Sequence, residues 1–171
     1  MNIEFAILII DYFKTLKRRD FIFEWSLPFL LCLLIFYLNY NNKDIKNDAI
    51  NQSSSLISLL GILIGFSIAV ITLLITSNTK NIEEIKSKLT RYSNVNKKVT
   101  LFDLLIITYT YTVISEIILL IFNLFVPSIM KEICSLHKVS ILNTLNLFGV
   151  MHVLFVTIRN VTNFYFILIK K

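Results

Sequence analysis

The sequence predicts an all-α membrane protein: four transmembrane helices, with an N-terminal amphipathic helix lying in the membrane interface. Three observations carry that expectation. Hydrophobic residues make up 56% of the 171 residues, charged residues only 16%, and the mean hydropathy is +0.72. A soluble domain carries about 25% charged residues. The apolar residues fall in long runs, and 3 Gly with 2 Pro are too few to punctuate a turn-rich β fold. A soluble globular enzyme, a disordered chain and a disulfide-built scaffold are all excluded as leading readings.

A bilayer core about 30 Å thick needs roughly 20 apolar residues in a helix. Residues 56–76 meet that length without a charge, residues 104–126 are broken only by Glu116 before Pro127, and residues 139–158 contain His152 but no formal charge. The first span, residues 21–40, reaches length only if Phe21–Ser26 and its Glu24 are included. Backbone groups in lipid must pair within their own segment, so each run is expected to be a helix. Four Lys and Arg precede the first span, six lie in residues 77–100 and three lie at or beyond the end of the fourth, against two in each remaining loop. The positive-inside rule therefore places both termini and residues 77–100 in the cytoplasm. The net charge of +6 is then a signal for topology and anionic lipid, with no direct nucleic-acid partner implied.

Residues 1–20 do not form a secretory signal, because the positive cluster follows the apolar run. On a helical wheel Phe5, Ile9, Tyr12, Phe13 and Leu16 share one face, and Glu4, Asp11, Lys14 and Arg18 the other, with Ile7 an exception. Such a helix suits the interface, with Lys14, Lys17, Arg18 and Arg19 near lipid headgroups. A helix packed on its own bundle gives the same pattern. Residues 41–55 read as a polar external loop, and residues 127–138 as a short external connection. In residues 77–100, Ser77, Asn78 and Thr79 are capping residues, and Ile82, Ile85, Leu89 and Tyr92 follow at helical spacing. An amphipathic helix to about Tyr92 is expected, strengthened by Glu84 four residues before Lys88, and it offers a surface for a cytoplasmic partner protein. Cys32 and Cys134 lie at different depths and form no CxxC, so neither an intrachain bridge nor a zinc site is expected, and a free thiol is the expectation at Cys134. No cofactor or metal is implied.

Two constellations stand out. Gly61, Gly65 and Ala69 place small residues four apart, with Ser58, Thr72 and Thr76 near the same face. Small residues let helices approach closely in lipid, either within the chain or between subunits. Glu116 lies mid-span, where a charge costs at least ~2.5–3.5 kcal/mol. Tyr109, Thr112, Glu116 and Asn123 form one polar stripe, which must face protein or water. The fourth span offers Asn143, Asn146, His152, Thr157, Arg159 and Asn160 as partners. By helix rise Glu116 lies about 18 Å from the start of its span, level with Asn146, or with His152 if the fourth helix runs deeper. Glu116 then either lines a hydrated or protonatable path with His152 or Arg159, or hydrogen-bonds as packing glue. Glu24, nearer the surface, is expected to snorkel. No HExxH, GxSxG or phosphate loop is present, so a non-enzymatic protein is expected.

The stretches FIFEWSLPFLLCLLIF at 21–36 and ILIGFSIAVITLLITSNTKNIEEIK at 62–86 resemble small four-span membrane proteins of bacterial anti-phage loci, the membrane component of the Kiwa defence system among them. The resemblance implies a homo-oligomeric inner-membrane sensor or effector working with a separate cytoplasmic partner. A small ion channel or proton-coupled transport subunit built around Glu116 is the alternative from a different class.

Overall fold

The computed structural model describes residues 2–39, 44–94, 97–133 and 135–169. Within them four helices are long and apolar enough to cross a membrane: Arg18–Asn39, Ile45–Thr76, Leu101–Glu132 and Leu136–Phe166. The protein is an all-α, membrane-type bundle with an additional N-terminal helix. In chain order the elements are α1 (Asn2–Thr15), α2 (Arg18–Phe21), a π-helical turn (Ile22–Ser26), α3 (Leu27–Asn39), α4 (Ile45–Thr76), α5 (Lys80–Ser87), strands β1 (Leu89–Asn94) and β2 (Lys97–Thr100), α6 (Leu101–Glu132) and α7 (Leu136–Ile169). The α2–α3 rod, α4, α6 and α7 alternate in direction. The start of α2, the end of α7 and the segment between α4 and α6 therefore share one end of the bundle, called the proximal end below.

Burial is arranged as lipid demands. Ile62 is 72% exposed, Leu30 61% and Phe125 59%, whereas Glu24, Ser67, Thr112, Glu116, Asn123 and Asn160 are fully buried. In water such an arrangement would expose the apolar surface that folding normally removes. In hydrocarbon it is the stable one, because apolar side chains lose nothing outside and polar ones need protein partners.

Helix α4 packs mainly on α6, α6 also on α7, and α3 chiefly on α7. One core cluster joins Val70 and Leu74 of α4, Ile82 and Ile85 of α5, and Leu105 and Tyr109 of α6 at the proximal end. A second joins Ile45, Ala49, Val126, Met130 and Val139 at the opposite end. That second cluster explains why residues 45–55, expected as loop, are helical: Ile45, Ala49, Ser53 and Leu56 form a buried stripe down the polar segment. Lys46 Nζ donates to the carbonyls of Lys131 (3.1 Å) and Ile133 (3.3 Å), covering the open end of α6. The third span likewise runs on through Pro127 to Glu132. A proline removes one helical hydrogen bond, and a packed transmembrane helix tolerates that loss.

The segment 77–100 departs from its expectation after Ser87. The helix ends there, with Lys88 N–H donating the last helical bond to the Glu84 carbonyl at 3.0 Å and the chain turning extended at Lys88 itself. Leu89 and Tyr92 fall in an antiparallel hairpin that pairs Leu89 with Thr100 and Asn94 with Lys97. Ile82 and Ile85 are buried as the spacing requires. Helix α6 then starts at a capping box, in which Thr100 Oγ1 accepts from Asp103 N (3.1 Å) and Asp103 Oδ2 accepts from Thr100 N (3.0 Å). Helix α1 packs on the bundle through Leu8, Tyr12 and Leu16, while Ile7, Ile10 and Phe13 stay exposed. Cys134 lies outside the described residues, and Cys32 is a buried free thiol.

One glycine, Gly149, marks where α6 and α7 meet. A Cβ at Gly149 of α7 would lie 2.7 Å from Leu119 Cδ2 of α6, whereas one at Gly61 or Gly65 meets nothing within 4 Å. Gly149→Val should therefore lower thermal stability in detergent by about 1–3 kcal/mol, the cost of overpacking. An unchanged melting temperature would show that the Leu119 side chain turns aside without cost.

Candidate functional site

Two polar centres lie inside the bundle. The first begins with Pro28. Proline has no N–H, and its ring crowds the carbonyl four residues before it, which here belongs to Glu24. The chain answers with the π-helical turn Ile22–Ser26, closed by Leu27 N–H donating to the Ile22 carbonyl. The freed Glu24 carbonyl accepts instead from His152 Nδ1 of α7 at 2.8 Å. A carbonyl can only accept, so the ring proton sits on Nδ1. Nε2 of the neutral ring then accepts from the Tyr111 hydroxyl at 2.9 Å.

The Glu24 side chain completes the ring of contacts. Its Oε2 accepts from the Tyr12 hydroxyl at 2.6 Å, and its Oε1 faces Arg159 Nε at 2.6 Å. That second contact is ionic, without a directed hydrogen bond, and Arg159 Nη2 also lacks a hydrogen-bond partner. Asp20 lies 3.7 Å from Arg159 Nη1 on the more open side. Tyr12 stacks flat on Tyr111, with ring centroids 3.6 Å apart and planes at 4°. Burial, and next the Glu24 charge beside it, push the Tyr12 phenol well above its ordinary range, so it remains a donor. Three otherwise separate units are tied together here: α1 by Tyr12, the π-helical turn by Glu24, and the α6–α7 pair by Tyr111, His152 and Arg159.

Sequence reasoning placed His152 and Arg159 with Glu116. The structure gives both to Glu24, which is fully buried and does not snorkel. The legible signal was Pro28 four residues after Glu24, which marks a carbonyl in need of another donor.

The second centre lies deeper, around Glu116. Its Oε1 is 3.5 Å from Ser67 Oγ of α4 and 3.5 Å from Thr157 Oγ1 of α7, and its Oε2 has no partner. One turn closer to the proximal end, Asn160 Nδ2 donates to Thr112 Oγ1 at 2.9 Å. Tyr109 is fully buried with its hydroxyl unpartnered. Asn146 lies farther along and closes a reciprocal amide pair with Asn123, at 3.0 and 2.9 Å. Of the expected partners of the stripe, then, Thr157 and Asn160 meet it near Glu116 and Asn146 meets it at Asn123. The register differs because α7 runs past Ile158 to Ile169.

Gly61, Gly65 and Ala69 are exposed, as are Ser58, Thr72 and Thr76. The Thr72 and Thr76 hydroxyls return to the Ile68 and Thr72 carbonyls of their own helix. Lys14, Lys17, Arg18 and Arg19 are exposed around the turn from α1 to α2. At the proximal end a cleft of about 640 Å³ opens between α1, α5, the hairpin, α6 and α7, with Lys17, Asp20, Glu84, Lys88, Arg159 and Asn163 among its lining residues. Protein-family models, curated proteins and solved structures each give no match to this chain.

Removing one partner of a buried ion pair costs about 3–5 kcal/mol, because the other charge is left uncompensated. Arg159→Met alone should therefore destabilise the protein strongly. Adding Glu24→Gln to it should restore most of the lost stability. Equal thermal melting of Arg159→Met and wild type would mean that water reaches Glu24 and that the pair is not sealed.

Proposed function

We propose that this chain is a non-enzymatic, self-associating inner-membrane subunit that senses or executes a bacterial anti-phage defence response. The observation carrying this reading is the outward face of α4. Gly61, Gly65 and Ala69 are exposed, with open space where a Cβ would stand on either glycine. The buried face of the same helix (Leu60, Ser67, Val70 and Leu74) is already used within the chain. A small-residue groove brings no advantage against lipid tails and a large one against another helix. A second copy of the chain, seated on this face, is the occupant we propose. The resemblance of residues 21–36 and 62–86 to the Kiwa membrane component points the same way.

The Lys and Arg asymmetry supports cytoplasmic termini and a cytoplasmic segment 77–100. Lys14, Lys17, Arg18 and Arg19 then lie at the level of anionic headgroups, beside the exposed Ile7, Ile10 and Phe13. The polar side of α5, with Lys80, Glu83 and Glu84 exposed, supports docking of a cytoplasmic partner protein. A second reading, an ion- or proton-conducting subunit, draws on the unpartnered buried Oε2 of Glu116.

Gly65→Leu should leave the monomer's fold intact and reduce oligomer size in mild detergent. Unchanged oligomer size would assign this face to lipid. Reporter fusions at Asn47 and Ser135 should read external, and fusions within 77–100 and at Lys171 cytoplasmic. A cytoplasmic Asn47 would remove the first span from the membrane. Ion leak from liposomes holding purified protein, abolished by Glu116→Gln, would favour the conducting reading over the defence one.

A further inference from the structure

The polar atoms around Glu116 do not have enough protons among them. Thr157 has one hydroxyl proton, and its Oγ1 lies 2.9 Å from the Val153 carbonyl, against 3.5 Å from Glu116 Oε1. The shorter bond takes the proton, so Thr157 turns a lone pair toward the carboxylate. Thr112 is used in the same way. Its hydroxyl donates to the Thr108 carbonyl at 2.8 Å while accepting from Asn160 Nδ2 at 2.9 Å. Asn160 is thereby oriented with Oδ1 as its free atom, and that atom is buried without a partner. Ser67 alone has a hydroxyl proton to offer, at 3.5 Å, far outside the ~2.5–2.7 Å of a hydrogen bond to an ionised carboxylate. Glu116, Ser67 and Asn160 are each fully buried and Thr157 nearly so. Oxygen atoms of three helices meet here, and among the described residues the distant Ser67 hydroxyl is the one donor turned to the carboxylate.

A buried group without a partner calls for a water or an ion, and a donor-poor cluster of hard oxygens favours a cation. Charge sets its valence. Among the described residues the carboxylate of Glu116 has no other charged group in hydrogen-bond or ion-pair contact, so one positive charge neutralises the site. A divalent ion would leave a net charge inside the bilayer. Spacing sets its size: two oxygen–oxygen edges of 3.5 Å correspond, in an octahedral shell, to a metal–oxygen distance of about 2.5 Å, within the range of oxygen-liganded ions of calcium's radius. Sodium is the monovalent ion of that size. We propose that Glu116, Ser67 and Thr157, with Asn160 Oδ1 one turn away, form a sodium-binding site that joins α4, α6 and α7.

This inference goes beyond both readings above. It concerns occupancy of one site in the resting protein, and neither oligomer size nor vesicle leak decides it.

The test is thermal unfolding of the full-length protein in nanodiscs, with NaCl, KCl or N-methyl-D-glucamine chloride at constant ionic strength. Sodium should raise the melting temperature saturably, on the order of 5 °C when it is well above its dissociation constant, with potassium weaker and the organic cation without effect. Glu116→Gln should melt at the same temperature in all three salts. Thr157→Val keeps the side-chain shape, and should need about tenfold more sodium for half the shift; it carries the test if the Gln variant does not fold. Equal melting of the wild type in all three salts would overturn the proposal. A response to pH without a response to sodium would also overturn it, and would assign the site to a proton. A sodium shift retained in full by both variants would place the ion elsewhere.

Discussion

The arrangement depends above all on one buried ion contact, Glu24 with Arg159, 135 positions apart in the chain. An isolated carboxylate in hydrocarbon is too costly to keep, so Glu24 fixes where Arg159 must be, and with it the depth of α7 against the first span. The same residue's carbonyl, released by Pro28, sets the rotation of α7 through His152. Depth and rotation are thus fixed by two atoms of one residue. Tyr12, which donates to Glu24 and stacks on Tyr111, then seats α1 on the bundle, although no long apolar face of α1 is consumed in doing so. Ile7, Ile10 and Phe13 remain available to lipid for that reason.

The two polar centres differ in kind. Around Glu24 each major group meets a partner of opposite character: acid with guanidinium, phenol with acid, imidazole with carbonyl. It is a lock, and the stacked tyrosines and Trp25, 4.3 Å from the His152 ring, close it from the side. Around Glu116 acceptors outnumber donors, the Ser67 hydroxyl at 3.5 Å being the one donor turned to the carboxylate, with no cation in contact among the described residues. Between these extremes the Asn123–Asn146 pair is self-sufficient, each amide supplying one donor and one acceptor. A seam built of three such different contacts holds α6 and α7 in one register, because sliding by a turn would break all of them together.

Much of this was legible in the sequence, for a simple reason. Uninterrupted apolar runs have one use, and the four spans follow from their length. Glu116 was equally plain, since a charge in the middle of such a run needs an explanation. The pairing of Glu24 with Arg159 was not, because each lies near the end of a run, where a long polar side chain ordinarily reaches water. Only the fold brings them together, and burial then reverses the meaning of both positions. The helical nature of residues 45–55 was hidden by their polarity, although Ile45, Ala49, Ser53 and Leu56 carry a helical period. The hairpin was hidden because Leu89 and Tyr92 continue the helical spacing of Ile82 and Ile85 by chance, while the chain at Lys88 has already turned extended.

Helix α4 takes part in both the interior and the outer surface, on different faces. Ser67 points inward to Glu116, and Gly65 and Ala69, two residues to either side, lie on the exposed face. A helix advances 100° per residue, so residues two apart diverge by about 160°, and the exposed small-residue face and the Glu116 centre stand back to back across one helix thickness. A partner helix seated against Gly61 and Gly65 would touch no side chain of the interior network. Any influence of assembly on Glu116 would have to travel as a rotation or shift of α4 as a rigid body. The contact most exposed to such a shift is Ser67 with Glu116, already long at 3.5 Å, while the Glu24 lock, to which α4 contributes no group, would be left as it stands.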